Sequence, residues 1–170
     1  DKIERFDVVH LERIPLGTPY PTQIEHVRAL LNRPPLDTLR PKFVLDETGC
    51  GRPVADLFDR AGLLPERVLI TAGNEVARGS GARSWHVPKS FLIAGLDARL
   101  HCGELKIAAA LGDAPILANE LKDFERSVSQ AGRTTWNARV GAHDDLILAV
   151  AIALFACTNR NETTQTELKL

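Results

Sequence analysis

Twelve consecutive apolar residues at 146–157 are the feature that most limits how this 170-residue chain can fold. A membrane-spanning helix needs about 20 apolar residues, so this segment is too short to cross a bilayer. We expect a helix that is buried on most of its sides, because a helix without a polar face belongs in a core. Two adjacent carboxylates, Asp144 and Asp145, precede the segment and would lie at the first turn of that helix.

The acidic pair has two interpretations. Aspartate is a common N-cap residue, because its carboxylate accepts a hydrogen bond from the free N–H groups of the first turn and suits the positive end of the helix dipole. One aspartate is enough for that role. The second aspartate, with His143 beside the pair, leaves a catalytic or metal-binding role open.

The composition is that of one ordinary globular domain, with 44% apolar and 25% charged residues. The net charge of -1 means that any binding of nucleic acid needs a local basic surface. Cys50, Cys102 and Cys157 are far apart, which favours a reducing compartment over a disulfide framework or a zinc site. The chain has no signal-peptide pattern and no methionine, and we expect a piece of a longer protein.

Strand and helix patterns alternate through the middle of the chain. We predict strands at 6–14, 42–46, 67–71 and 105–107, and helices at 22–31, 53–62, 88–101, 114–129 and 146–157. Thr22 and Glu25 have the spacing of a capping box. The glycine-containing stretch 72–88 is expected to be a long loop, and 132–140 a hairpin tip or an edge strand. The alternation predicts a single α/β domain over 1–157, followed by a polar, flexible tail at 158–170.

The segment from Asp46 to Pro53 places an acid at the end of a predicted strand. In open α/β sheets, ligand sites form at the carboxyl ends of strands, so Asp46 is a candidate site residue. A dinucleotide fingerprint fails here because its third glycine would fall on Val54, and this makes a nucleotide-binding domain the weakest alternative. The competing structural interpretation is that Gly49 and Gly51 only form a tight turn.

If Asp46 ends a central strand and Asp144 starts a helix packed on the same sheet, the two acids can meet. Clusters of carboxylates bind Mg²⁺ or Mn²⁺ through oxygen. Two such ions can activate a water and stabilise the leaving oxygen in phosphodiester cleavage. Asp46, Asp144 and Asp145 are therefore the candidate metal-binding and catalytic residues.

Basic side chains in the expected loop suit contacts with a phosphate backbone. Arg78, Arg83 and Lys89 flank flexible glycines and Trp85, and Arg52 lies close to Asp46 in sequence. These four cations are the candidate DNA-binding residues. The alternative is a solvated loop with Trp85 folded back on the core, which we favour for the tryptophan itself.

Five segments, taken in order, resemble the C-terminal nuclease domain of the large terminase subunit of tailed bacteriophages and prophages. They are residues 10–21 (HLERIPLGTPYP), 46–54 (DETGCGRPV), 85–89 (WHVPK), 105–108 (LKIA) and 143–146 (HDDL). No segment is specific by itself, but their order and spacing together cover about 6–157. The resemblance implies a ribonuclease H-like fold, a mixed sheet flanked by helices on both faces.

The resemblance also implies a Mg²⁺- or Mn²⁺-dependent endonuclease that cuts concatemeric double-stranded DNA during packaging, with two ions in the complete site. In that family, the metal site takes acids from the first strand, from the end of a later strand and from the start of the last helix. Asp46 matches the second acid, and Asp144 or Asp145 matches the third, with Asp144 favoured. The first acid has no match, because we expect its strand to precede Asp1.

The implied partners are double-stranded DNA, the terminase ATPase domain, the small terminase subunit and the portal, in the cytoplasm of a bacterial host and without a membrane. A sheet that lacks its first strand would expose an edge, and this predicts a possible homodimer through that edge. The competing hypothesis is a non-catalytic DNA-binding or docking module, such as a decayed prophage fragment. That module would bind DNA in a salt-sensitive manner without hydrolysing it.

Overall fold

The computed structural model describes residues 4–128, 134–138 and 144–159 of the chain. The strands in this part are β1 (Phe6–Val8), β2 (Val44–Asp46), β3 (Glu66–Thr71), β4 (Ala77–Arg78), β5 (Ser84–Pro88), β6 (Leu105–Ile107), β7 (Phe124–Val128) and β8 (Thr134–Ala138). The helices are α1 (Tyr20–Leu31), α2 (Leu36–Leu39), α3 (Glu47–Arg60), α4 (Lys89–His101), α5 (Ala114–Asp123) and α6 (Asp145–Thr158). The predicted His143 and the tail beyond residue 159 lie outside the described residues.

The chain divides into two compact units, which are described separately. The sheet unit comprises Ile14–Thr71 and Glu75–Val87. The helix unit comprises Asp1–Arg13, Ala72–Asn74 and Pro88–Leu170.

A four-stranded mixed sheet in the order β2-β3-β5-β4 forms the centre of the sheet unit. Strands β2 and β3 are parallel, with Asp46 opposite Val68, whereas β4 and β5 are antiparallel, with Arg78 opposite Trp85. Helix α3 packs on β2 and β3 and lies against α1. The expected α/β class is confirmed: the sheet is mixed and flanked by helices.

The core of the sheet unit forms where α1 and α3 meet. Ile24 of α1 is buried together with Val54 and Phe58 of α3, and the ring of Phe43 lies 5.4 Å from that of Phe58. The predicted capping box at Thr22 is wrong, because α1 begins earlier, at Tyr20, with proline in its first turn. Proline suits that position, since its fixed φ is helical and its missing N–H would have had no partner there.

The stretch 72–88 is not a loop throughout, which corrects the prediction from its glycines. It contains the hairpin β4–β5, in which Trp85 and Val87 are buried. Trp85 therefore lies in the core, as expected for the tryptophan. Gly79 allows the turn between the strands, because a Cβ at this position would collide with the side chain of Ser84. The three buried positions of this five-residue strand, Trp85, Val87 and Pro88, do not form a clear period of two in the sequence.

The helix unit is organised by α6, in which eight residues are buried. Helices α4 and α5 pack against it, and the rings of Phe91 and Phe155 meet edge to face with centroids 6.3 Å apart. The predicted buried helix at 146–157 is confirmed. Among the described residues, no helix is both long enough and apolar enough to span a membrane.

Two strand pairs complete the helix unit. Strand β1 pairs with β6 in parallel, with Phe6 opposite Leu105, and the predicted strand at 6–14 is wrong beyond Val8. Strands β7 and β8 pair antiparallel. Helix α5 ends at Asp123, so the predicted helix to residue 129 is too long, and its last part is strand β7.

Gly51 divides α3 into a short first turn and a longer second segment. Its φ of 73° and ψ of 167° lie in a region that is essentially restricted to glycine. Pro53 then begins the second segment, where its fixed φ is favourable. The glycine is therefore required by the backbone at this point, and not by lack of space around it.

We expect Gly51→Ala to lower the free energy of unfolding by about 1–3 kcal/mol, because alanine is strained in this conformation. Urea unfolding followed by circular dichroism measures the change. Gly49→Ala is the matched control, since Gly49 has open space around its Cα and no positive φ. Equal stability of the two variants would show that the kink at Gly51 is not strained by a side chain.

Candidate functional site

Asp46 lies at the carboxyl end of β2 and is the N-cap residue of α3. Its Oδ1 accepts the N–H of Thr48 at 2.8 Å, and Oγ1 of Thr48 accepts the N–H of Ile70 at 2.6 Å. The end of β2, the start of α3 and strand β3 are thus joined by side-chain hydrogen bonds. The predicted acid at a strand end is confirmed in its position, and its carboxylate is held by the backbone.

A groove of about 700 Å³ in the sheet unit is lined by three arginines and three carboxylates. Arg67 is the least exposed of these arginines: its Nη2 donates to Asp56 at 2.8 Å and to Asp59 at 2.7 Å. Burial alone would lower the pKa of Arg67, but the hydrogen bonds and charges of the two aspartates outweigh burial and raise it. Arg67 therefore acts as a permanent cross-link between β3 and α3.

The two predicted DNA-binding arginines that line this groove have incomplete partners. Nη2 of Arg83 lies 3.3 Å from Asp59, and its buried Nη1 has no hydrogen-bond partner among the described residues. The side chain of Arg52 is 80% exposed, and its Nε lies 3.8 Å from buried Glu47. The exposed part of each side chain, 80% for Arg52 and 41% for Arg83, can therefore meet a further acceptor, whereas the buried Nη1 of Arg83 cannot.

Arg78 and Lys89, the other two predicted DNA-binding residues, have defined partners within their own units. The guanidinium of Arg78 stacks 3.6 Å from the ring centroid of Trp85, a cation–π arrangement. Nζ of Lys89, at the start of α4, donates to Oδ2 of Asp144 at 2.7 Å. The structure thus separates the four cations into a groove pair, Arg52 and Arg83, and two cations with close intramolecular contacts.

The start of α6 is capped by a residue that sequence reasoning missed. Asp144 is the N-cap residue by position, but within the described chain its side chain makes no capping hydrogen bond. Oε2 of Glu120, from α5, instead accepts the N–H groups of Leu146 at 3.0 Å and Ile147 at 3.1 Å. A signal existed in the sequence: Glu120 follows the apolar Leu117 by three residues, a spacing that places both on one side of a helix.

Arg13 connects this cap to the acidic pair. Its Nη2 donates to Oε1 of Glu120, and its Nη1 lies 3.3 Å from Oδ2 of Asp145. The backbone N–H of Arg13 also donates to Asp113 at 2.6 Å. Glu120 is 6% exposed and Asp145 is 65% exposed at the side chain, so Arg13 links a buried carboxylate to one that faces solvent.

The predicted metal ligands are divided between the units: Asp46 belongs to the sheet unit, and Asp144 and Asp145 to the helix unit. Within residues 4–128, 134–138 and 144–159, no group of three or more His, Cys, Asp or Glu side chains has an arrangement that could hold a metal ion. The donor chemistry nevertheless fits a hard cation, because carboxylate oxygens are the ligands that Mg²⁺ and Mn²⁺ prefer. Within the helix unit, the positive charges of Lys89 and Arg13 compensate Asp144 and Asp145.

The buried carboxyl group of Glu120 should make the stability of the protein depend on pH. Burial raises the pKa of Glu120. The N–H groups of α6 and the charge of Arg13 lower it, but by less, so that the pKa is raised overall. The native state therefore binds this proton more tightly than the unfolded chain, and Glu120 contributes more stability as the pH falls from 7 towards 4.5.

As the pH falls over that interval, we expect the parent to become more stable relative to Glu120→Gln, because glutamine cannot bind the proton that the native Glu120 carboxylate takes up. Urea unfolding at several pH values measures the difference, and Asp97→Asn, which removes an exposed carboxylate of α4, is the control. A difference between parent and Glu120→Gln that is constant with pH would contradict the raised pKa.

Comparisons with known proteins identify this fold. No protein-family model matches the chain, and no curated protein matches it in sequence. Among solved structures, the large terminase nuclease from thermophilic phage G20c matches with a TM-score of 0.56 and 19% identity, over 81% of this chain and 62% of that one. The Thermus phage P74-26 large terminase nuclease domain matches with a TM-score of 0.55 and 18% identity, over 81% and 60%.

The G20c nuclease has also been solved with bound magnesium, and that structure matches with a TM-score of 0.57 and 19% identity, over 82% of this chain and 62% of that one. The chain thus spans about three fifths of the length of the structures that it matches. The predicted fold is confirmed: the chain has the ribonuclease H-like fold of phage large terminase nuclease domains.

Proposed function

We propose that the chain is the metal-dependent endonuclease module of a phage-type DNA-packaging terminase, which hydrolyses phosphodiester bonds of concatemeric double-stranded DNA by a two-metal mechanism. The observation that carries this proposal is the fold shared with phage terminase nucleases, one of which was solved with bound cobalt and with bound magnesium. The acids at the end of β2 and at the start of α6 support it, because carboxylates are the donors that such ions need.

We propose Asp46, Asp144 and Asp145 as the metal ligands. When bound, Mg²⁺ or Mn²⁺ would supply an activated water and stabilise developing negative charge. The chain itself supplies rigidity: Asp46 is held by the Thr48 N–H, and Asp144 and Asp145 begin a helix whose core face is buried. Lys89 and Arg13 balance the charge of the acidic pair and would have to yield part of that role to a metal ion.

For DNA binding, we propose the four cations Arg52, Arg78, Arg83 and Lys89, with Arg52 and Arg83 making the principal phosphate contacts. These two line the groove of the sheet unit, where 80% of the Arg52 side chain and 41% of the Arg83 side chain are exposed. Arg78 and Lys89 would contribute positive potential from the places where Trp85 and Asp144 hold them.

The same proposal names the partners: double-stranded DNA, a terminase ATPase domain, a small terminase subunit and a portal. A homodimer through an exposed sheet edge remains a further prediction, since an unpaired edge can pair with another chain.

Nicking of supercoiled plasmid in the presence of Mn²⁺ tests the nuclease proposal. We expect activity that a chelator abolishes and that Asp46→Asn and Asp144→Asn each reduce by at least about 100-fold, because loss of a direct ligand should cost no less than loss of its outer partners. Asp97→Asn is the matched control, since it removes an exposed carboxylate of α4 that pairs with His101.

A variant with both Asp46 and Asp144 replaced by asparagine that still nicks DNA at the parental rate would show that the assignment is wrong. DNA binding without any nicking by the parent would instead favour the non-catalytic docking module.

Double-stranded DNA affinity at several salt concentrations tests the cations. We expect the double variant Arg52→Gln, Arg83→Gln to bind DNA of every sequence more weakly. The slope of log affinity against log salt concentration should become shallower by an amount equal to the loss of about two phosphate contacts. Fluorescence anisotropy with a labelled duplex measures both quantities. Arg5→Gln is the control, because Arg5 is an exposed arginine that pairs with Asp7 outside the groove. Equal affinity and salt slope in both proteins would exclude the groove as the DNA contact.

A further inference from the structure

We infer that Glu120 and Arg13 are positioning residues for the acidic pair at the start of α6. Glu120 caps the helix in place of an aspartate, and Arg13 connects Glu120 to Asp145, so that neither Asp144 nor Asp145 is needed as the cap. The ligand role of the aspartates rests on the proposed function, whereas the cap and the bridge stand on contacts within the helix unit.

The first N–H groups of α6 are buried. Leu146 is 4% exposed and Ile147 is 1% exposed, so water has little access to this turn. Unpaired N–H groups at such a place would destabilise the helix start. One oxygen of Glu120 accepts both N–H groups, and this satisfies the helix start from a neighbouring helix.

The side chain of Asp144 does not cap its own helix. An aspartate that caps its own helix turns its carboxylate back onto the N–H groups of the first turn. Because Glu120 performs this task, the carboxylate of Asp144 is directed to Nζ of Lys89 and not to its own helix. The cap and the candidate ligand are therefore different residues, which removes the competition between the two roles.

Asp145 forms an ion pair with Arg13. A carboxylate that is 65% exposed would ordinarily sample several rotamers, and ordering it costs side-chain entropy. Arg13 restricts it, because the guanidinium contacts Glu120 and Asp145 with different nitrogens while the Arg13 backbone is held by Asp113. A planar guanidinium can make this bridge with fixed geometry, which an ammonium group cannot.

The arrangement is more than a stability device. Burying a carboxylate and a guanidinium has a desolvation cost that their attraction often fails to offset. A helix start can be capped more simply by its own aspartate, and two aspartates are available here. A buried ion pair in this place is therefore explained by what it does to the orientation of the acidic pair.

The test compares Glu120→Gln, Arg13→Lys and the double variant with the parent and with Asp97→Asn. Glutamine can still accept the two N–H groups of α6 but presents no charge to Arg13. Lysine keeps the charge but has one terminal nitrogen, so it cannot contact Glu120 and Asp145 with two different nitrogens held in one plane. Both variants are thus designed to preserve the fold and to break the bridge.

Two readouts are measured well below the unfolding temperature: the ¹³C carboxyl resonance of Asp145 without metal, and the affinity for Mn²⁺ from the electron paramagnetic resonance signal of the free ion. We expect the Asp145 resonance to shift and the Mn²⁺ dissociation constant to rise by about 10–100-fold in each single variant. The Mn²⁺ dissociation constant of the double variant should exceed that of the weaker-binding single variant by no more than about threefold, because both changes break the same connection. Asp97→Asn should match the parent.

Parental Mn²⁺ affinity and an unchanged Asp145 resonance in both single variants would overturn the inference and leave Glu120 and Arg13 with a role in stability alone. If the parent binds no Mn²⁺, the proposed nuclease function fails, and the Asp145 resonance still decides on the bridge. A shift then supports positioning of the carboxylate, and no shift overturns it.

Discussion

The helix unit depends on how the buried start of α6 is satisfied. A helix whose side chains are almost all apolar gains stability only when it is buried, and burial removes water from its first N–H groups. The carboxylate of Glu120 replaces that water, and the charge of Arg13 compensates the carboxylate in turn. The most hydrophobic helix of the described chain is therefore coupled to an ion pair, and a change in either affects the other.

The sheet unit has a comparable device on its own sheet. Arg67 connects β3 with two aspartates of α3, and Thr48 connects the start of α3 with the backbone of Ile70. These bonds hold the segment around Asp46 to the strand next to it. In both units, a candidate ligand thus lies at the end of an element that polar contacts hold in place, which is the condition for a preorganised metal site.

Several elements could be predicted from the sequence, because their signals are local and strong. The apolar segment predicted α6, a short β-branched segment predicted β3, and Asp46 was correctly placed at the end of a strand, β2. The hairpin β4–β5 was missed, because its glycines resemble those of a loop and its buried strand is only five residues long. The capping of α6 by Glu120 was also missed, because Glu120 lies 26 positions before Leu146, whose N–H group it accepts.

The sequence by itself determined that residues 146–157 must be buried as a helix and that two carboxylates must lie at its start. Hydrophobicity and helix geometry are sufficient for both conclusions. Only the tertiary structure decided which carboxylate caps that helix and which cations face Asp144 and Asp145. These choices depend on distances between side chains far apart in sequence, such as Arg13 and Glu120, and no local pattern in the chain encodes such distances.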